Sequence, residues 1–203
     1  MKMEQNTTRI LIAGFGGQGV LFLGKWIAYA GMQEGKEVTW LPSYGPEMRG
    51  GTANCAVILS SDPIGSPIVQ EMDVLIAMNM PSLTAYQSRV CPGGVILYDA
   101  SLIGEAPARE DVRSIALPAT RLATEQGLDG LGNMILLGAF LSAGMPLEEE
   151  AIKTTLALVV PAHKQQLIAA NLRAIALGSE YEAEQGMEPE HSPQAARHPR
   201  KAG

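Results

Sequence analysis

The apolar run Arg9 to Ala13 (RILIA) stops at Gly14, and Gly14-Phe15-Gly16-Gly17-Gln18-Gly19 then leads into the apolar stretch Val20 to Met32. A short buried strand that feeds a glycine-rich turn and opens a helix is the starting unit of an α/β domain. Gly14, Gly16 and Gly19 meet the spacing G-x-G-x-x-G. Glycines at these places permit a tight turn and close approach of a ligand, while the amides and dipole of the helix N-terminus favour an anion. The same glycines are tolerated at any strand-to-helix turn of an α/β fold, so the spacing alone leaves both readings open.

A dinucleotide site also needs an acid about 20 positions further on, at the end of the second strand, to hold the ribose hydroxyls. Here the strand expected at Glu37 to Leu41 ends Val38-Thr39-Trp40-Leu41-Pro42, with no carboxylate. Glu34 and Glu37 lie before that strand or at its start. The missing acid weighs against a self-sufficient NAD enzyme.

The remaining chain continues the alternation. Thr52 to Ser60, Asp73 to Met78, Val95 to Asp99 and Val112 to Leu117 read as strands. A helix is expected from Pro81 to Val90, stopped by Cys91-Pro92-Gly93-Gly94. The first two strands are expected to form a parallel pair with a right-handed crossover. From Pro118 onward the pattern is helical, at Pro118 to Gln126, Gly132 to Ala143, Leu147 to Leu158 and Ala162 to Leu177. The expected fold is a three-layer α/β domain: a mostly parallel sheet, helices on both faces and a helical C-terminal third. Gly178 reads as the end of this domain, residues 1–178. Residues 179–203 read as a polar, flexible tail that starts in a helical SEYEAE.

Several classes fall away on composition. Fifteen Lys+Arg against 21 Asp+Glu give a net charge of −6, and no basic stretch precedes the last few residues, which argues against nucleic acid. Two cysteines, Cys55 and Cys91, cannot build a four-thiolate cluster. The histidines His163, His191 and His198 are scattered, so no metal is expected. The polar start MKMEQNTTR and the short apolar run Met134 to Leu141 argue against a leader or a membrane span and for a reducing cytoplasm.

The first helix is apolar nearly all round: Val20, Leu23, Gly24, Ile27 and Gly31 form one stripe, and Leu21, Phe22, Trp26, Tyr29 and Ala30 fill much of the other side. Such a helix is buried on all sides, under the C-terminal helices or under another subunit. With Met48, Met78 and Met80 near loops, the second option predicts an exposed apolar surface fit for a partner. Elsewhere, Glu148-Glu149-Glu150 suits a helix N-terminus. Asp99 reads as the cap of the following turn, Asn133 as the cap of its helix, and Cys55 as a core thiol. His163 stands in a helix's first turn.

The most unusual stretch is Ser43 to Cys55, SYGPEMRGGTANC, in which Glu47 and Arg49 sit among glycines. Arg49 suits an ion pair or the grip of a phosphate or carboxylate. GFGGQGV at the first turn, SYGPEMRGGTANC after the second strand and GNMILLGA from Gly132 follow one another at a spacing that resembles the gamma subunit (domain III) of the 2-oxoacid:ferredoxin oxidoreductases. The resemblance spans roughly residues 9 to 178, and the wording YGPEMRGGTANC is most similar to the 2-oxoglutarate branch.

What the resemblance implies is a division of labour. Such enzymes oxidatively decarboxylate a 2-oxoacid with thiamine diphosphate, pass electrons through iron–sulfur clusters to ferredoxin and release an acyl-CoA. Alpha and beta subunits hold the thiamine diphosphate and Mg, and a beta or delta subunit holds clusters. The gamma domain assembles against them and contributes to coenzyme A binding. Carried onto this chain, the resemblance marks Gly14, Gly16, Gly17, Gln18, Gly19, Arg49 and Asn133 as cofactor-facing, with no catalytic residue and no metal ligand of its own. The contrasting reading is a self-sufficient nucleotide-dependent oxidoreductase or nucleotide-binding module. On either reading the glycine turn is expected at the C-terminal edge of the sheet, facing a concavity.

Overall fold

Successive residues of a strand point to opposite faces, and here both faces are apolar. In β1 (Thr7–Phe15), Ile10 and Ile12 enter one core and Leu11 the other. The same split recurs in β3 (Thr52–Ser60), β4 (Met72–Ala77) and β5 (Val90–Asp99), where Val95 and Leu97 oppose Ile96 and Tyr98. These strands therefore lie in the middle of a layered domain. A computed structural model describes residues 6–44, 52–148, 150–151, 154–155, 158 and 167–185. It adds the edge strands β2 (Glu37–Tyr44) and β6 (Arg113–Leu117) and the helices α1 (Val20–Gln33), α2 (Met80–Tyr86), α3 (Ala119–Glu125), α4 (Gly132–Ser142) and α5 (Ile168–Gln185). Helices α1, α3, α4 and α5 cover the first face. The second is covered by the short α2, through Leu83, and by connections that supply Val69 and Ile103.

The six strands run in the order β2-β3-β1-β4-β5-β6. β1, β4, β5 and β6 pair in parallel, whereas β3 is antiparallel to both β1 and β2. The sheet is mixed, with one reversed strand, and the expected β1–β2 pair does not form. The reason is local. Only residues 45–51 separate β2 from β3. Such a connection can return a strand antiparallel to its neighbour but is too short for a crossover. β3 therefore folds back on β2 and occupies the place beside β1.

Helix α1 lies close on β3 because Gly24 and Gly31 leave room for it. A Cβ at Gly24 would collide with Cys55 Sγ, and one at Gly31 would come within 2.6 Å of Leu59. Its C-terminus closes with Gly35 at φ 73, Gly35 N donating to Met32 O and Lys36 N to Gly31 O, which is a Schellman motif. Trp26 is wholly covered by this chain, Leu21 and Phe22 are half-buried, and Tyr29 is 36% exposed. The same chain thus covers most of the helix. Met78, expected near a surface, is buried; Met48 lies outside the described residues. Burial pushes the Cys55 thiol up to about 12, in keeping with a core position. Cys91-Pro92-Gly93-Gly94 does not end a helix. α2 stops at Tyr86, and the four residues form an irregular start to β5, where the register against β4 shifts.

The C-terminal third is helical where it is described, in α3, α4 and α5, but much of the expected Leu147 to Leu158 helix and of residues 159–166 lies outside the described residues. Gly178 does not terminate a helix. It sits inside α5, where a Cβ would collide with Ile135 O, and Gly138 of α4 stands in the same relation to Ile175 O. Ser179 Oγ donates to Gly138 O at 3.1 Å. The two backbones therefore touch at this crossing. Past it, Tyr181 packs on the core, and the buried Glu182 pairs with Arg113, whose Nη1 donates to Ala143 O at 3.2 Å. The boundary expected at residue 178 falls within a packed helix; residues 186–203 are outside the described set. Among the described residues, no helix is long and apolar enough to cross a membrane.

Two outcomes follow from α5. By helix propensity alone, Gly178→Ala would stabilise the chain by about 1 kcal/mol. The backbone contact predicts the reverse, a loss of roughly 1–3 kcal/mol from overpacking, read as a lower thermal midpoint; a rise would remove the close crossing. Burial holds the Glu182 carboxyl above the ordinary glutamate range, with Arg113 pulling it down. A raised folded value means that its contribution is full below the unfolded value and is lost as pH rises through the folded one. Glu182→Gln is expected to flatten that part of the stability–pH curve, with an unchanged slope as the contrary result.

Candidate functional site

From β1 the chain builds β2 and β3 on one side of the sheet, and then returns to build β4, β5 and β6 on the other. Connections therefore leave in opposite directions at the C-terminal ends of β1 and β4, where open α/β sheets form their ligand crevice. A cleft of about 260 Å³ lies at this point, lined among others by Gly17, Gln18, Met78, Asp99, Thr120 and Asn133. The glycine turn thus stands at the predicted edge and faces a concavity.

The turn is shorter than its glycine spacing suggests. Gly14 is still a strand residue, paired with Ala53, and a Cβ there would lie 2.8 Å from Gln18 Oε1 and 3.0 Å from Met78 Cβ. Its glycine makes room for the Gln18 side chain. The turn proper contains Gly16 and Gly17, with Gly17 exposed at φ 103, and Gly19 at φ 80 is the N-cap of α1. A Cβ at Gly19 would collide with the amide of Asn133. Gln18 folds inward: Oε1 accepts from Phe15 N at 2.6 Å and from Asn79 Nδ2 at 3.1 Å, and Nε2 donates to Met78 O at 2.8 Å. It shapes the turn while bordering the cleft.

Asn133 does not cap α4. Leu131 is the N-cap, without a side-chain bond, and Asn133 stands inside the first turn and reaches across to Gly19, Nδ2 donating to Gly19 O at 3.5 Å. Its side chain is buried, 7% exposed as a residue, and Oδ1 has no partner among the described residues. A buried carbonyl oxygen in this state needs a donor. Asp99 does act as a local cap: it accepts from Ser101 N at 3.0 Å and from the amide and hydroxyl of Thr120 at the start of α3.

The N-termini of α1 and α4 therefore meet at one cleft. Neither has a side-chain cap or an acid in its first turn. Met134 N is bonded to Leu131 O, and the other first-turn amides, with the helix dipoles, favour an anion there. No Lys or Arg is among the described lining residues, so the attraction is a property of backbone. No group of three or more His, Cys, Asp or Glu that could hold a metal occurs among the described residues.

Arg49, with Glu47, lies outside the described residues, as does His163. The residues that bound the 45–51 segment are placed: Tyr44 pairs with Ala53 and Thr52 with Phe15, at the edge that carries the glycine turn. The topology also explains the missing ribose acid. β3 separates β2 from β1, so the end of β2 is two strand spacings from the turn, roughly 10 Å. Residue-by-residue reading missed Asn79 and Thr120. Asn79 carried a legible signal, an Asn two residues before a Pro at a helix start.

Comparison with known proteins places this geometry. The chain matches the family described as Pyruvate ferredoxin/flavodoxin oxidoreductase over residues 9–181. It is 41% identical over 180 residues to the ketoisovalerate oxidoreductase subunit VorA of Methanothermobacter thermautotrophicus, covering 87% of this chain and 36% of that protein. It is 36% identical over 155 residues to the 2-oxoglutarate synthase subunit KorC of the same organism, covering 71% of this chain and 82% of that protein. The chain spans about a third of the length of the VorA relatives and most of the KorC relatives. Among solved structures, a keto/oxoacid ferredoxin oxidoreductase gamma subunit from Geobacter sulfurreducens superposes with a TM-score of 0.75 at 26% identity, covering 87% of this chain and 99% of that one. The 2-oxoglutarate:ferredoxin oxidoreductase of Magnetococcus marinus, with 2-oxoglutarate, coenzyme A and succinyl-CoA bound, gives a TM-score of 0.80 at 26% identity, over 89% of this chain and 32% of that one. Matched along most of its length, and sharing its fold with a gamma subunit over nearly all of that subunit, the chain belongs to the pyruvate ferredoxin/flavodoxin oxidoreductase family as a gamma-type domain.

Proposed function

We propose that this chain serves a thiamine diphosphate-dependent 2-oxoacid:ferredoxin oxidoreductase by holding coenzyme A at a subunit junction, with 2-oxoglutarate as the expected 2-oxoacid. Alpha and beta subunits supply thiamine diphosphate and Mg, and a beta or delta subunit supplies the clusters that pass electrons to ferredoxin. Coenzyme A brings a thiol that takes the acyl group. This chain's part is to bind and orient it.

The observation that carries this reading is the cleft itself: two uncapped helix N-termini, with no acid in either first turn, around a buried Asn133 Oδ1 that lacks a donor. Coenzyme A is complementary to both features. Its phosphates suit the amides at Gly17, Gly19 and the start of α4, and its hydroxyl and amide groups can donate to Asn133. Gly14 leaves room for Gln18, which braces the turn that contains Gly16, and Arg49 adds a planar fork that grips phosphate. The bound coenzyme A in the Magnetococcus structure supports the ligand class. KorC similarity supports 2-oxoglutarate, and VorA similarity favours a branched-chain 2-oxoacid as the second reading. Assays of the assembled enzyme with 2-oxoglutarate and 2-oxoisovalerate separate these two by kcat/KM.

Thr124 lines the cleft from an exposed position on α3. Thr124→Trp is expected to raise the KM for coenzyme A at least roughly tenfold while 2-oxoacid decarboxylation without coenzyme A stays near wild type. An unchanged KM would take the cleft out of coenzyme A binding. Arg49→Lys is expected to raise the same KM with assembly intact; dissociation of the complex would instead make Arg49 an interface residue. A monomer that binds NAD(P)H tightly by itself would favour the self-sufficient reading.

A further inference from the structure

We propose that Asn79 is a positioning residue for the ligand cleft: it holds the glycine turn ready through Gln18 without touching the ligand. The proposal rests on the reading of the cleft as a coenzyme A site.

Asn79 ends the β4–α2 connection in extended conformation, φ −158, and is 4% exposed. Its side chain does two things at once. Oδ1 accepts from Ser82 N at 2.9 Å and caps α2, and Nδ2 donates to Gln18 Oε1 at 3.1 Å. Gln18 is thereby joined to both banks of the crevice, to Phe15 N at the end of β1 and to Met78 O and Asn79 beyond β4. The orientation of the Gln18 amide is determined by these partners. Turned over, its NH₂ would face Phe15 N–H and its oxygen would face the Met78 carbonyl.

Gln18 and Met78 line the cleft, and Asn79 is not among the lining residues. Its influence on a ligand therefore passes through the turn. That turn has high conformational freedom, with Gly17 exposed and both Gly17 and Gly19 at positive φ. Ordering it only on binding would weaken binding by the entropy of the ordered residues, and a preformed turn avoids that loss. The Gln18–Asn79 bond spans the crevice where no strand ladder continues.

Asn79→Ser separates the two roles, because serine also caps a helix N-terminus but is too short to reach Gln18. In the assembled enzyme this variant is expected to raise the KM for coenzyme A about fivefold, the worth of one buried hydrogen bond. The kcat at saturating coenzyme A and decarboxylation without coenzyme A are expected to stay near wild type. Asn79→Asp, which keeps the cap but turns an oxygen toward Gln18 Oε1, gives the same direction of change and serves if the serine variant fails to assemble. Gln18→Ala completes a double-mutant cycle: if Asn79 acts through Gln18, Asn79→Ser adds nothing to the KM in that background. Fully additive effects would overturn the positioning role. So would an unchanged KM in Asn79→Ser while Thr124→Trp raises it, an outcome that leaves the cleft reading intact. If neither variant moves the KM, both readings fail together.

Discussion

β1 has neighbours of opposite sense, β3 antiparallel on one side and β4 parallel on the other, and the ligand edge depends on this arrangement. The reversed β3 brings its first residue, Thr52, level with Phe15, and its Ala53 between Gly14 and Tyr44, so the residues that flank 45–51 stand at this edge of the sheet. The parallel β4 brings Met78 and Asn79 to the same edge from the other side. Had β2 taken the place beside β1, that edge would have offered the geometry of a dinucleotide site. With β3 there, the turn faces a cleft bounded by α3 and α4 instead. The 45–51 connection, too short to cross over, sets which ligand geometry the sheet edge can support.

The proposed anion site, in a chain of net charge −6, needs a local source of attraction. The described cleft residues include no cationic side chain, and one of them is Asp99. The Asp99 carboxylate accepts from Ser101 in the turn after β5 and from Thr120 at the start of α3, so its lone pairs are engaged within the chain. The uncapped starts of α1 and α4 supply the opposite polarity through backbone amides. Such attraction acts at short range and depends on aim, so the orientation of the turn matters more than in a site lined by lysines. The inward fold of Gln18 therefore bears on the proposed binding through the shape of the turn, its polar atoms being engaged within the chain.

Much of the strand and helix order was legible because it rests on local periodicity. β1, α1, α3 and α4 begin and end within a residue or two of the apolar pattern, and the glycine turn lies at the expected edge. Two of the discrepancies share a physical cause, a partner distant in the chain, whereas the place of β3 follows from the short 45–51 connection. Gly178 resembles a helix stop in one dimension, yet its lack of a side chain serves Ile135, more than forty residues earlier. Asn133 resembles a cap, yet its amide reaches Gly19. Of the residues that line the cleft, Gly17, Gln18 and Asn133 are among those that the resemblance marks. Asn79 was legible as a helix cap but not as the partner of Gln18, which is brought to it by the parallel pairing of β1 and β4.

Open helix ends have a cost. A missing side-chain cap costs about 1 kcal/mol at a residue such as leucine and only a few tenths at glycine, and the caps of α1 and α4, Gly19 and Leu131, make no side-chain bond. Each helix is secured away from its open end. α1 closes its C-terminus with a Schellman motif and lies on β3 through Gly24 and Gly31. α4 touches α5 backbone to backbone at Gly138 and Gly178. Further along α5, Glu182 is buried against Arg113, where desolvation outweighs the partner's charge. That pair therefore serves to orient α5 on the edge strand more than to stabilise the fold. Stabilising contacts thus lie at the far ends and middles of the same helices whose first turns lack a side-chain cap. On the proposed function, this separation leaves backbone amides for a ligand in a domain that folds without one.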